Sequence, residues 1–87
     1  MVLIYNNIIY CANSGDSRCI CYSKKKVIEL SVDHKPDDPI EKERIEKAGG
    51  YIQEGRVNGT LNLSRAIGDL EYKKNAELKP EEQLIIA

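Results

Sequence analysis

The chain has 87 residues, 13 basic and 14 acidic side chains and a formal net charge of −1, with no Phe and no Trp. This length is enough for one small domain, whose core must come from aliphatic side chains. The nearly balanced charge gives no electrostatic reason to expect a nucleic acid or an anionic membrane as a partner.

The N-terminal stretch MVLIYNNIIYC is apolar. It is much shorter than the ~20 apolar residues of a membrane-spanning helix, and it lacks the basic start of a signal peptide. We therefore expect no membrane partner and a cytoplasmic or nuclear location.

Three cysteines are present, Cys11, Cys19 and Cys21. Their odd number, without a secretory signal, argues against a disulfide framework. A zinc site at Cys19 and Cys21 is conceivable, but only Cys11 and the distant His34 remain as further ligands. We expect the three cysteines to be small buried hydrophobes.

Residues 1–32 are predicted to form an antiparallel β meander, with strands at 2–5, 8–12, 18–22 and 27–30. The pair Asn6-Asn7 suits a two-residue type I′ turn, because asparagine tolerates positive φ. Both faces of these strands are partly apolar, so another layer is expected to cover at least one face.

Residues 33–50 are predicted to be a loop and a short helix over 39–48. Asp38 is placed as the N-cap and Pro39 as the first helical residue, and Gly49 or Gly50 as the stop signal. Only a thin apolar stripe is expected to face a neighbour, formed by Ile40, Ile45 and Ala48.

Residues 51–74 show a short strand at 51–53 and the turn signals Glu54-Gly55 and Asn58-Gly59. The stretch SRAIGDLEYKK is compatible with a helical turn. Residues 75–87 form a charged tail that ends in Leu84-Ile85-Ile86.

Three segments follow one another in a specific order: YCANSGDSR, then LSVDHKPDDPIEKERIEKAGG, then GRVNGTLNLSRAIGDLEYK. In this order and spacing, over roughly residues 8–73, the chain resembles the protein phosphatase 2C family of metal-dependent protein serine/threonine phosphatases. The resemblance places the chain in the central part of that domain.

The resemblance implies an α+β fold, as part of a four-layer α-β-β-α sandwich with antiparallel hairpins and one short helix. It implies two Mg or Mn ions, held by aspartates, whose bridging water attacks the phosphorus of phosphoserine or phosphothreonine in proteins. Residues 51–74 resemble the flap-like segment beside the active site of the family.

The chain departs from the family pattern in one respect. The family's Asp-Gly-His-Gly-Gly and Asp-Gly-x-x-Asp metal motifs and its phosphate-binding arginine are absent, and no Asp-Gly dipeptide occurs. We therefore expect a phosphoric monoester hydrolase by family that is inactive as this chain alone. The alternatives are a non-catalytic regulatory or interaction module derived from a phosphatase domain and, more remotely, a small zinc-binding protein.

Asp16 is the one candidate metal residue. In a complete domain the resemblance makes it a ligand of an accessory cation, whereas in this chain we expect a turn carboxylate that accepts backbone N–H bonds. Ser17 and Arg18, after Gly15, are expected to fix the same turn. His34 is expected to bond the backbone of a loop.

The flap-like segment supplies the other candidates. Arg56 would approach a phosphorylated substrate or form a structural ion pair, and Asn58 and Gly59 lie beside it. Ser64, Arg65 and Asp69, around Gly68, are expected to form a buried polar network that anchors the flap to the sheet, and no catalytic residue is assigned. The apolar strand at the start of the sequence and the apolar end QLIIA are expected to be uncovered and to cause self-association.

Overall fold

Three antiparallel hairpins and one helix make up the computed structural model, which describes all 87 residues. Strands β1 and β2 form the first hairpin, β3 and β4 the second, and β5 and β6 the third. The bounds are β1 Val2–Tyr5, β2 Ile8–Cys11, β3 Ile20–Ser23, β4 Lys26–Glu29, α1 Pro39–Lys47, β5 Ile52–Gln53 and β6 Arg56–Val57, followed by the 3₁₀ turns Leu70–Tyr72 and Pro80–Glu82. The prediction of an α+β fold with antiparallel hairpins and one short helix is confirmed.

The first thirty residues form two separate hairpins and not one meander, because β2 is not hydrogen-bonded to β3. The predicted strands at 8–12 and 18–22 are Ile8–Cys11 and Ile20–Ser23 in the structure. Residues 12–19 connect β2 to β3 but do not form a hairpin turn. They contact a later loop instead, as described below.

Each hairpin closes through a two-residue turn in which both central residues have positive φ, as a type I′ turn requires. The Asn6-Asn7 prediction is confirmed by φ values of 49° and 59°. Lys24 and Lys25 adopt 49° and 61°, although lysine gives no sequence signal for this conformation. Glu54 and Gly55 form the third such turn, at 53° and 70°.

Helix α1 begins as predicted, with Asp38 in the N-cap position and Pro39 as its first residue, and it ends at Lys47, one residue before the predicted end. Gly49 has φ 87°, its N–H donates to Glu46, and the Gly50 N–H donates to Ile45. These two bonds form a Schellman motif, in which the left-handed glycine closes the helix. At the other end Asp38 makes no side-chain cap; its carboxylate accepts the N–H of Lys35 instead, at 3.1 Å.

The predicted apolar stripe of α1 is only partly buried. Ile40 is 76% exposed, whereas Glu41 and Ile45 are the buried residues of the helix. A charged residue takes the inner position because its partners come from a distant segment, which the periodicity of one helix cannot reveal.

The core lies where α1, the third hairpin and the C-terminal tail meet. Its fully buried apolar side chains are Ile45, Val57 and Ile85. The Ala66 N–H donates to the Ile86 carbonyl at 2.8 Å, so the tail lies beside residues 65 and 66. The expectation that this apolar tail is uncovered is therefore wrong.

The first two hairpins lie outside this core, and their apolar side chains are exposed, from 48% at Ile9 to 70% at Ile4 in the first hairpin. The accessible surface is 6600 Å², whereas a compact chain of this mass exposes about 5,200 Å². Much apolar surface is therefore available to another protein surface. No helix has the length and apolar character required to cross a membrane.

We predict that Lys24→Asn together with Lys25→Gly stabilises the second hairpin by about 1 kcal/mol, because both residues then suit positive φ. The readout is slower hydrogen exchange of the Leu30 amide, which donates to Cys19 across the hairpin. Replacing both lysines by Gln removes the same charges and keeps the strained backbone, so it is the control. Equal exchange rates in the two variants would contradict the role of the turn.

Candidate functional site: the junction of three motifs

The GDSR turn and the DHKP loop are joined by paired hydrogen bonds. The His34 N–H donates to the Gly15 carbonyl at 2.9 Å, and the Gly15 N–H donates to His34 Nδ1 at 3.3 Å. Gly15 is buried with φ 107°, which glycine adopts readily. The structural role predicted for His34 is confirmed, and its Nδ1 is an acceptor.

Two ion pairs flank these bonds. Arg18 Nη2 and Nε lie 2.7 and 3.1 Å from the Asp33 carboxylate, and Lys35 Nζ lies 2.6 Å from Asp16 Oδ2. The hydrogen bond from Arg18 lowers the pKa of Asp33, and the same bond raises the pKa of Arg18. Arg18 therefore links the GDSR turn to the DHKP loop through its ion pair with Asp33.

Asp16 is bound in a way that the sequence did not indicate. Its carboxylate accepts a hydrogen bond from the Lys35 ammonium group, 19 residues later in the chain, and not from a backbone N–H. No group of three or more His, Cys, Asp or Glu side chains is arranged to hold a metal ion. These residues therefore do not fit a Mg or Mn site made from this chain alone.

The third motif lies against the first. A Cβ placed on Gly15 would lie 3.0 Å from the Arg65 carbonyl oxygen, so only glycine allows this approach. The turn before Asp16 is therefore enclosed between His34 and the backbone of the SRAIGD segment. Motifs at positions 15, 34 and 65 meet at one junction, which we call the motif junction.

A buried carboxylate fixes the Arg65 side of the motif junction. The Glu41 side chain is 3% exposed, and it accepts hydrogen bonds at 2.6 Å from both Arg44 Nη1 and Arg65 Nη2. A further bond comes from Arg65 Nε at 3.0 Å. Burial raises the pKa of Glu41, but the bonds from Arg65 and Arg44 outweigh this effect and lower it to about 2.

The sequence alone does not mark Glu41 as a site residue, because a carboxylate in the first turn of a helix is already favoured by the helix dipole. Its real role had one local signal. Glu41 and Arg44 are three residues apart, so they share a helix face with Ile45, the inward apolar residue.

The predicted network of Ser64, Arg65 and Asp69 is only partly present. Ser64 is fully buried, and Arg44 Nη2 donates to its carbonyl at 2.6 Å, while its hydroxyl has no hydrogen-bond partner. Asp69 is exposed at φ 48° and follows the exposed Gly68. The anchor therefore runs from Arg65 to helix α1 and not from Asp69 to a sheet.

The flap candidates form a turn of their own. The Asn58 side chain accepts the Tyr51 N–H at 3.1 Å, and Asn58 and Gly59 have φ values of 51° and 70°. Arg56 is exposed and donates to the Thr60 carbonyl at 3.0 Å, without an ion pair. The structural ion pair considered for Arg56 is absent, and its guanidinium group faces solvent.

The cysteines are free and partly exposed, so the expectation that they are buried is wrong. The neighbouring Cys11 thiol, together with desolvation, raises the pKa of Cys19. No zinc-binding arrangement involves them.

We predict that Glu41 makes the stability of the chain depend on pH. Because its pKa is lower in the folded chain, about 2 against 4.5, its stabilisation is complete above pH 4.5 and is lost as the pH falls toward 2. Glu41→Gln should therefore lower the free energy of unfolding by about 1–3 kcal/mol at pH 7 and by much less at pH 2.

Urea unfolding of both proteins at the two pH values measures this effect. Glu43→Gln is the matched control, because Glu43 lies on the same helix and pairs with Lys47 at the exposed surface. A difference between Glu41→Gln and the native chain that is the same at both pH values would contradict the prediction.

Comparison with known proteins assigns these motifs to a family. The family model of protein phosphatase 2C matches residues 1–87. The chain is 59% identical over 87 residues to "Probable protein phosphatase 2C 2" of Paramecium tetraurelia and 53% identical to "Probable protein phosphatase 2C 21" of Arabidopsis thaliana. It covers 29% and 24% of these two relatives, and all of it is aligned.

A solved structure supports the same assignment. The crystal structure of a phosphatase from a pathogenic strain of Toxoplasma gondii matches 85% of this chain, with a TM-score of 0.80 and 50% sequence identity, and the match covers 24% of that protein. The chain thus spans less than a third of the relatives named here. With its whole length matched and its fold shared, the chain belongs to the protein phosphatase 2C family.

Proposed function

We propose that this chain is the central part of a Mg- or Mn-dependent protein serine/threonine phosphatase that removes phosphate from phosphoserine and phosphothreonine in proteins. The observation that carries the proposal is the match of the family model to every residue from 1 to 87. The motif junction supports it, because the family motifs contact one another there.

In this proposal the 87 residues supply a platform and not the metal ligands. Asp16 is paired with Lys35, and no other carboxylate joins it. Divalent cations of this kind require several converging oxygen ligands, so the ligands of the principal cations belong to parts of a phosphatase domain outside these 87 residues. Arg56, exposed on the flap-like segment, is proposed to meet the phosphorylated substrate.

The first hairpin supports a role inside a larger domain. Its register places Val2, Ile4, Ile9 and Cys11 on one face and Leu3, Tyr5, Ile8 and Tyr10 on the other. Both faces are apolar, which is typical of a hairpin covered on both sides. We propose that the rest of the phosphatase domain covers them, and that a second copy does so when the chain is alone.

We predict that the isolated chain does not hydrolyse p-nitrophenyl phosphate or a phosphothreonine peptide with Mn²⁺, because it lacks a carboxylate cluster. A chimaera should be active, in which these 87 residues replace the aligned segment of the Paramecium relative with 59% identity. Release of phosphate by the chimaera, its unmodified parent and the isolated chain is the measurement.

The parent provides the positive control, and the parent without the segment provides the negative one. Turnover by the pure chain that depends on Mn²⁺ would contradict the platform role. A folded chimaera without activity beside an active parent would overturn the phosphatase proposal and favour the non-catalytic module.

We predict that the isolated chain self-associates through its first hairpin. Sedimentation at increasing concentration should show dimers or larger species, and Ile4→Lys should weaken the association about tenfold or more, because it places a charge on an apolar face. Val32→Lys is the control, since Val32 is also exposed but lies outside the strands. A monomer at every concentration would contradict the prediction.

A further inference from the structure

We propose that Glu41 is a positioning residue for the phosphatase reaction: it holds the flap-like segment and the turn before Asp16 in one fixed arrangement. This inference rests on the proposed function. Glu41 belongs to none of the candidate sites that the family motifs indicate.

The Glu41 carboxylate binds two arginine side chains, Arg44 and Arg65. Arg65 donates from both Nε and Nη2 to the carboxylate, and Arg44 donates from Nη1, at distances between 2.6 and 3.2 Å. A guanidinium group that donates two bonds to one carboxylate is fixed in position and orientation. The site is nearly closed to water, since Glu41 is 3% and Arg44 10% exposed.

Helix α1 also holds the chain on both sides of residues 51–63, the first part of the flap-like segment. At the N-terminal end the Gly50 N–H donates to the Ile45 carbonyl at 2.9 Å. At the C-terminal end Arg44 Nη2 donates to the Ser64 carbonyl at 2.6 Å, while Arg65 is bound by Glu41. The segment between residues 50 and 64 is thus a loop whose two ends are fixed to one helix.

The backbone of Arg65 also lies against the turn that carries Asp16. The Arg65 carbonyl lies against Gly15, with no room for a Cβ between them, and His34 holds Gly15 from another direction. A shift of the Arg65 backbone therefore shifts Gly15 and the Asp16 that follows it. One buried carboxylate in this way fixes two regions that the family motifs assign to the active-site side of the domain.

Removing the charge of Glu41 should release this arrangement. Arg44 and Arg65 would then face each other as like charges without an anion between them. The flap-like segment would lose its fixed end, and the substrate would have to order it on binding. We therefore expect the KM for a phosphothreonine peptide to rise by about tenfold, with kcat changed by no more than about threefold.

The test uses the active chimaera described above. Glu41→Gln and Arg65→Gln should each raise KM, and the double variant should raise it no further than either single one, because they break one link. Glu41→Asp should restore part of the loss, since it keeps the charge. Glu43→Gln removes an exposed carboxylate of the same helix and should leave KM unchanged.

Hydrogen exchange on the 87-residue chain separates this inference from the proposed function. Glu41→Gln should accelerate exchange of the His34 and Val57 amides, which donate to Gly15 and Leu61, at least about tenfold more than exchange of the Leu30 amide in the second hairpin, because a general loss of stability would accelerate all three alike. Glu43→Gln should not. This result would support the positioning of both regions even if the native chimaera were inactive.

Two results would overturn the inference. One is unchanged KM in Glu41→Gln and Arg65→Gln variants of an active chimaera. The other is accelerated exchange confined to helix α1, with the His34 and Val57 amides at their native rates. If Glu41→Gln does not fold, Arg65→Gln decides by the same measurements, because it leaves the Glu41–Arg44 pair intact.

Discussion

The ion pairs of the buried Glu41 carboxylate with Arg44 and Arg65 are the interaction on which the packing of helix α1 against the SRAIGD segment depends. The fully buried hydrophobic cluster contains only three side chains, so hydrophobic burial alone stabilises the chain weakly. A buried ion pair gives little net stability compared with a well-packed apolar replacement, but loss of one partner leaves a buried charge at high cost. The energetic importance of Glu41 therefore lies in what its removal would expose.

The motif junction explains why residues far apart in sequence form one pattern. The backbone N–H and carbonyl of Gly15 are both hydrogen-bonded to His34. Because Gly15 has no side chain, the Arg65 carbonyl can also lie close to it. The identity of these residues is set by backbone geometry more than by chemistry. In this chain the family motifs at these positions therefore hold the backbone together.

Local features of the fold could be predicted from the sequence, and features that depend on a partner could not. The Asn6-Asn7 turn and the Gly49 stop follow from the backbone preferences of single residues, and both are present. The burial of Glu41 and the exposure of Ile40 invert the pattern of their helix. Only knowledge of the segment that packs against the helix, which brings Arg65, would have corrected that prediction.

The same distinction applies to the candidate site. Sequence reasoning identified Asp16 and the likeness of its segment to a phosphatase turn, but it gave no reason to select Lys35 as the partner, because the two are 19 residues apart. Nor could it show that Ser64 and Arg65 are bound by helix α1, since their partners lie 20 and 24 residues away. Such pairings depend on tertiary structure.

The distribution of charge at the motif junction is consistent with the platform role proposed for this segment. Each carboxylate there already has a cation of this chain beside it: Asp16 has Lys35, Asp33 has Arg18, and Glu41 has two arginines. A divalent ion is attracted to carboxylates that repel one another, and none of these is left in that condition. A segment neutralised in this way keeps its shape without a metal ion. In the proposed function, such a segment would offer a fixed surface beside the carboxylates that hold the metal ions.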